Sequence, residues 1–284
     1  MLFPEKISTH YASKFKASNS CDCPLSKQVK FSAKENIVKA HFKNDPLCEH
    51  EAEIEPGILQ KYAGRLLVLA SNQCAIHCRF CFRRNTIHKK IDNLPKKLSR
   101  ILKRDKTIKE VILSGGDPLM LKDSELKAFL NAIPKHARIR IHSRVPIAIP
   151  SRFTPALFRL LSQLGSRLIL VVHVNHPNEL DKDSEKIFKQ LSMHGATLLS
   201  QSVLLKGIND NRETLATLSE KLFSQRVLPY YLHNLDKAQG ASHFEVPLRK
   251  AKTVFCELKN MLPGYLVPKL VQEIAGDKSK RIVC

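Results

Sequence analysis

From Arg65 onward this 284-residue chain alternates short apolar runs with stretches of helical periodicity, a rhythm that few folds accommodate. The runs lie at 65–70, 110–114, 138–142, 168–174, 197–204 and 227–232, rich in Leu, Ile and Val as buried strands are. Between them apolar residues recur every three to four positions. The clearest case follows Thr154, an N-cap with Pro155 at the first helical position. Leu157, Leu160, Leu161 and Leu164 then share one face. Asn211 to Phe223 repeats the pattern through Leu215, Leu218 and Leu222. Strands alternating with helices imply a parallel sheet with right-handed crossovers. Six units are two fewer than a closed barrel needs, so the sequence predicts an α/β fold of the partial (β/α)6, TIM-like kind.

The same pattern divides the chain into an N-terminal extension (1–61), the partial barrel (62–235) and a C-terminal segment (236–284) that covers one side. Residues 1–60 are lysine-rich and poor in helix signals, which predicts an extended or partly mobile arm. The unusual polar groups follow or end predicted strands: the cysteines from Cys74, then Ser114-Gly115-Gly116-Asp117, Ser143-Arg144, His173, Gln201 and Asp236. In (βα) barrels catalytic groups gather at that carboxyl-end rim. Gly115-Gly116, in a chain with only 10 glycines, points to close backbone approach to a ligand, with a plain βα turn as the alternative.

Cys74, Cys78 and Cys81 follow the first strand directly. Three thiolates at that spacing can hold three irons of a cubane iron–sulfur cluster. The fourth iron keeps an open position, as catalytic metal centres do. A zinc site completed by His77, Cys21 or Cys23 is the structural rival, but a second two-cysteine knuckle is missing. Cys21, Cys23, Cys48, Cys256 and Cys284 read as reduced, incidental thiols, with Cys21-Asp22-Cys23 the one pair that could bind something. Arg79, Arg83 and Arg84 around the triplet favour anionic ligands.

The formal charge of +21 favours nucleic acid, an acidic protein or phosphate-bearing cofactors as partners. The absence of Trp, 6% aromatics and scattered lysines argue against a nucleic-acid reader. Apolar runs fall short of the roughly 18 residues of a membrane span. Met1 to Lys16 lack a signal-peptide core, so a cytoplasmic protein is expected.

Together, Cys74-Ala-Ile-His-Cys78-Arg-Phe-Cys81 and Ser114-Gly-Gly-Asp-Pro-Leu119 resemble the radical S-adenosylmethionine (SAM) superfamily. Within it, Arg138-Ile-Arg-Ile-His-Ser-Arg144, His173-Val-Asn-His-Pro-Asn-Glu179 and Gln201-Ser-Val-Leu-Leu-Lys-Gly-Ile-Asn-Asp210 are similar to the lysine 2,3-aminomutases. Pro229-Tyr-Tyr-Leu-His-Asn-Leu-Asp-Lys-Ala-Gln-Gly240 and Gly264-Tyr-Leu-Val-Pro-Lys269 resemble the short members that act for elongation factor P. The similarity runs from about Tyr62 to Lys280.

The resemblance implies an isomerase that converts L-α-lysine to β-lysine, the product serving modification of a lysine on elongation factor P by a lysyl ligase. It implies a [4Fe–4S] cluster on Cys74, Cys78 and Cys81. S-adenosyl-L-methionine would be held by Ser114, Gly115, Gly116, Asp117, His173 and Gln201. Pyridoxal 5′-phosphate (PLP) would be bound through catalytic Lys280, with Lys278 a close competitor, Arg65 and Tyr62 on the phosphate side and His233 nearby. Arg83 matches the arginine that grips the substrate carboxylate, and Asp236 one of two carboxylates that recognise the side-chain ammonium. At the second position this chain has Glu273 where longer members have aspartate, which shifts that charge by ~1.5 Å, one bond length. The alternatives are a radical SAM enzyme that modifies tRNA, an aminomutase for another amino acid, and a zinc-binding nucleic-acid module.

Overall fold

The computed structural model describes residues 3–16, 23–86 and 91–283; Cys21, Asp22 and Cys284 lie outside them. Among the described residues ten strands form one sheet, each beside the next in chain order. They are β1 (Glu53–Glu55), β2 (Ile58–Leu59), β3 (Arg65–Ser71), β4 (Glu110–Gly115), β5 (Arg138–Ser143), β6 (Leu168–His173), β7 (Thr197–Val203), β8 (Leu228–His233), β9 (Lys269–Gln272) and β10 (Arg281–Ile282). Strands β3 to β9 run parallel. The flanking pairs, β1–β2–β3 and β9–β10, are antiparallel. With β1 and β10 at its edges the sheet is open, a partial barrel.

The six expected strands are β3 to β8, each within one residue at either end. Two features were not foreseen. The C-terminal segment contributes a seventh parallel strand, β9, and the N-terminal extension ends in the β1–β2 pair. All are too short to show a period of two.

The helices are α1 (Thr9–Lys16), α2 (Pro24–Lys27), α3 (Leu94–Arg104), α4 (Asp123–Ala132), α5 (Val145–Ala148), α6 (Pro155–Ser162), α7 (Lys182–Met193), α8 (Arg212–Ser224) and α9 (Leu248–Met261). At α6 the Thr154 hydroxyl accepts a bond from the Leu157 amide (3.2 Å), with Pro155 in the first turn. At α8 the Asn211 side chain accepts from the Thr214 amide (2.8 Å).

Alternation along the strands separates core from site. Leu66, Val68, Val111, Leu113, Ile139, Ile141, Leu170 and Val172 are buried in one cluster with Leu98, Leu126, Leu157, Phe188 and Leu218 of the helices. Each such side chain contributes roughly 1.5–3 kcal/mol by leaving water. The alternate positions, Leu67, Ser114, His142, His173, Gln201 and His233, line an interior cavity instead. A second cluster seats Val254, Phe255 and Leu258 of α9 on Leu232 and Leu270 of β8 and β9.

The expectation of an extended arm over residues 1–60 is corrected for the described part. Tyr11, Leu25 and Val29 are fully buried in the main core cluster, so α1 and α2 are anchored to the barrel. No described helix is long and apolar enough to cross a membrane.

Candidate active site

Cys74, Cys78 and Cys81 line one open cavity at the carboxyl ends of the parallel strands. The loop that carries the cysteines leaves β3, and its start is fixed by the glycine doublet after β4. Gly115 has φ +102°, and a Cβ there would lie 2.6 Å from the Ser71 carbonyl oxygen. A Cβ on Gly116 would strike the backbone of Gln73. The close approach expected of this doublet is therefore to the chain's own backbone, one residue ahead of Cys74. The Asp117 carboxylate accepts from Ser143 Oγ (2.8 Å), the Arg144 amide (2.7 Å), the Val145 amide (3.2 Å) and the Leu119 amide (3.1 Å). It thereby ties the end of β4 to that of β5.

Burial, then Asp117 and the neighbouring thiols, pushes the Cys74 thiol far up. Burial and Cys78 push Cys81 up to about 11. Without a metal these thiols stay protonated; to act as thiolates they would need a compensating cation, which iron would supply. Among the described residues no three His, Cys, Asp or Glu side chains converge on one metal ion. All three cysteines nevertheless line one cavity, as ligands to different irons of one cluster must.

Of the three arginines expected to face the cluster, only Arg83 lines the cavity. Arg79 and Arg84 are corrected: both turn to Glu35 on the outer side of the loop. Arg79 also donates to the carbonyls of Phe3 (2.9 Å) and Pro4 (3.1 Å). The cause is a buried carboxylate in the N-terminal segment, which no pattern near the cysteines reveals.

Three imidazoles, His142, His173 and His233, line the cavity with a buried Nε2 that has no partner. Burial pushes each pKa down, with neighbouring cations adding to it; His233 falls to about 3. These rings are neutral, and their orphaned nitrogens fit a ligand rich in polar atoms. Gln201 lines the same wall. His142 was not singled out from sequence, although it alternates with Ile139 and Ile141 on the face shared with Arg140.

At the other end the antiparallel turn from β9 into β10 carries Lys280 into the cavity, while Lys278 is exposed and outside its lining. The Lys280 ammonium donates to Glu273. The second Glu273 oxygen accepts from Lys61 at 3.0 Å, and Lys61 lies 3.2 Å from Glu49. Glu49 in turn takes the Nε (2.6 Å) and Nη2 (2.8 Å) of Arg83. The Arg83 Nη1 is aimed at Ser114 Oγ, 3.3 Å away. Neither Glu49 nor Lys61 was foreseen. Glu49 follows Cys48, a non-glycine residue in the left-handed region (φ 47°), and nothing in the local sequence marks it.

Asp236 lines the cavity, and burial with Glu273 nearby pushes its pKa up to about 7. Burial works against ionised Glu273 as well, but Lys280 and Lys61 prevail and hold it at about 2. Tyr62 and Arg65 lie outside the lining: the guanidinium stacks 4.9 Å from the Tyr62 ring centroid, at the amino end of β3. Burial and then Glu273 raise the Tyr62 phenol to about 12, so it stays protonated.

Residues 68–218 match the Radical SAM superfamily. The chain is 44% identical to the L-lysine 2,3-aminomutase of Haemophilus influenzae, over 99% of this chain and 85% of that protein. It is 42% identical to the L-lysine 2,3-aminomutase of Escherichia coli, over 98% and 83%. Against that of Clostridium subterminale identity is 34%, over 96% and 67%. Among solved structures, a radical SAM methyltransferase from Sphaerobacter thermophilus superposes with TM-score 0.51 at 15% identity, over 76% of this chain and 68% of that one. Native anSMEcpe with bound AdoMet and Cp18Cys peptide gives 0.52 at 12% identity, over 69% and 59%. At such identities the two structures speak for the fold alone.

Proposed function

We propose that this chain, which belongs to the L-lysine 2,3-aminomutases of the radical SAM superfamily, converts L-α-lysine to β-lysine by moving the amino group from C2 to C3. The observation that carries the reading is one cavity lined by three thiols and by an amine set among Arg83, Asp236 and Glu273. Enzymes of this family use a [4Fe–4S] cluster, S-adenosyl-L-methionine and PLP. Cys74, Cys78 and Cys81 would hold the cluster. Ser114, His173 and Gln201 would hold the nucleotide through their side chains and Gly115, Gly116 and Asp117 through their backbone, since four donors already fill the Asp117 carboxylate. Lys280 would take PLP, with His233 beside it, whereas Tyr62 and Arg65 lie outside the lining and have no direct part in the site as it stands. When bound, these groups supply hydrogen-atom abstraction at a carbon too weakly acidic for a general base, and an aldehyde that carries the migrating nitrogen.

The remaining roles belong to side chains. Glu49 occupies one edge of the Arg83 fork, and Nη1, held only by long bonds to Ser114 Oγ (3.3 Å) and the Gly115 carbonyl (3.5 Å), would turn to the substrate carboxylate. Asp236 and Glu273 take the distant ammonium, an arrangement suited to an amino acid with a cationic tail. Apolar neighbours such as Phe80, Phe82 and Leu235 keep water from the reacting carbons.

The division into 1–61, 62–235 and 236–284 assigns Lys280 to the last segment. Delivery of the product to a lysyl ligase acting on elongation factor P is supported by the motifs at 229–240 and 264–269 and by the +21 charge, which suits an acidic partner. A cytoplasmic setting suits three thiols that must stay reduced. The test is anaerobic reconstitution with all three cofactors and dithionite, followed by mass spectrometry of lysine products. β-Lysine is the expected product; an intact cluster with bound PLP and no β-lysine would refute the assignment.

A further inference from the structure

Arg144 stands between the cysteine loop and the N-terminal segment, and the chemistry above leaves it without a task. Its side chain is 6% exposed. Nη1 donates to the Sγ of Cys78 at 2.9 Å. Nη2 donates to Glu179 and reaches Gln28 Oε1 (3.2 Å) and the Tyr11 hydroxyl (3.4 Å). The rings of Tyr11 and Phe80 lie 5.6 and 5.8 Å from the guanidinium carbon. Glu179 is itself fully buried, held by Gln28 Nε2 (3.1 Å) and the amides of Asn175 (2.9 Å) and His176 (3.0 Å). Three separate stretches of chain thus cooperate to keep one cation against one thiol. Two of its supports, Tyr11 and Gln28, precede the matched residues 68–218.

A donor and a positive charge at a cluster sulfur favour whichever redox state carries more negative charge. We propose that Arg144 is a positioning residue that raises the reduction potential of the cluster on Cys74, Cys78 and Cys81, held to Cys78 by Glu179 and by Tyr11 and Gln28 of the N-terminal segment. This rests on the cysteine assignment made above. The step concerned is a one-electron reduction. An external low-potential donor (dithionite in the test) is oxidised, the cluster gains one electron, and Arg144 neither gains nor loses a proton. Glu179 opposes Arg144 electrostatically while fixing its geometry, so the two make predictions of opposite sign.

The experiment uses the full chain reconstituted with iron and sulfide, without S-adenosylmethionine or lysine. The midpoint potential is read by electron paramagnetic resonance along a redox titration, beside iron and sulfide content. Arg144→Met should shift the potential to more negative values, and Arg144→Lys by less. Glu179→Gln, nearly isosteric, should shift it to less negative values. An unchanged potential in Arg144→Met at full iron content overturns the proposal. Should Arg144→Met fail to fold, Glu179→Gln decides alone: a positive shift supports the proposal and no shift overturns it. A wild-type chain that takes up no cluster would sink the cysteine assignment itself, a failure distinct from either outcome.

Discussion

At the cysteine end of the cavity the charged groups are bound by neighbours that leave them no freedom, whereas at the Lys280 end they are bound to one another across open space. Arg79 and Arg84 share Glu35, with side chains 0%, 5% and 2% exposed. Arg144 is locked by Glu179, and Asp117 is used up by four donors. Around Lys280 the chain of Arg83, Glu49, Lys61, Glu273 and Lys280 is 10–22% exposed, and every member faces the cavity. Such pairs can be exchanged one for one when a charged ligand enters. The first arrangement is scaffolding; the second, under the proposed function, would give up its internal pairs to charged ligands.

Several substitutions would break or sharpen that contrast. The largest effect belongs to Lys280→Ala, which should reduce β-lysine formation on the order of 10³-fold or more at unchanged iron content, measured by mass spectrometry. Next is Glu35→Gln, which leaves two buried guanidiniums facing a neutral amide. It should lower stability by about 3–5 kcal/mol in denaturant titration, with loss of iron from the loosened loop. Iron loading and stability equal to wild type would mean that Glu35 is no clamp.

A smaller effect is expected of Asp236→Asn. Removing one charge-assisted contact worth about 1.5–3 kcal/mol should raise the lysine KM roughly 10- to 100-fold and leave kcat closer to wild type. The smallest is a pH effect on the same carboxyl. Burial raises Asp236 to about 7; Glu273 and Glu49 push in the same direction, and Lys280 and Lys61 pull it down. A raised carboxyl pKa means the group is protonated, and unable to hold an ammonium, below about pH 7. Lysine KM should therefore climb by up to about tenfold per unit as pH falls through that value. A slope that persists in Asp236→Asn would assign the titration elsewhere.

Much of this was legible in the sequence because strand periodicity and motif spacing are local. The strands β3 to β8, the capped helices α6 and α8, the cysteine and glycine positions and His173 follow from short patterns that the rim then gathers; His233 came with the resemblance, and His142 was missed. What stayed hidden depends on long-range pairing. Glu35 and Glu49 meet Arg79 and Arg83 only after folding, at separations of 44 and 34 residues. Strand β9 is only four residues long, and its place is set by β8 beside it. The burial of Tyr11, Leu25 and Val29 within a lysine-rich stretch is invisible to composition, which averages over just those side chains. Lys278 and Lys280 look alike in sequence; the β9–β10 turn separates them, one outward and one into the cavity.

That separation gives the most direct test, since the cavity contains two lysines, Lys61 and Lys280, and the account depends on which one is nucleophilic. The chain loaded with PLP is reduced with borohydride, digested, and its pyridoxyl-bearing peptide sequenced by mass spectrometry. The label is predicted on Lys280. A label on Lys61 or Lys278, with Lys280 unmodified, would contradict the account.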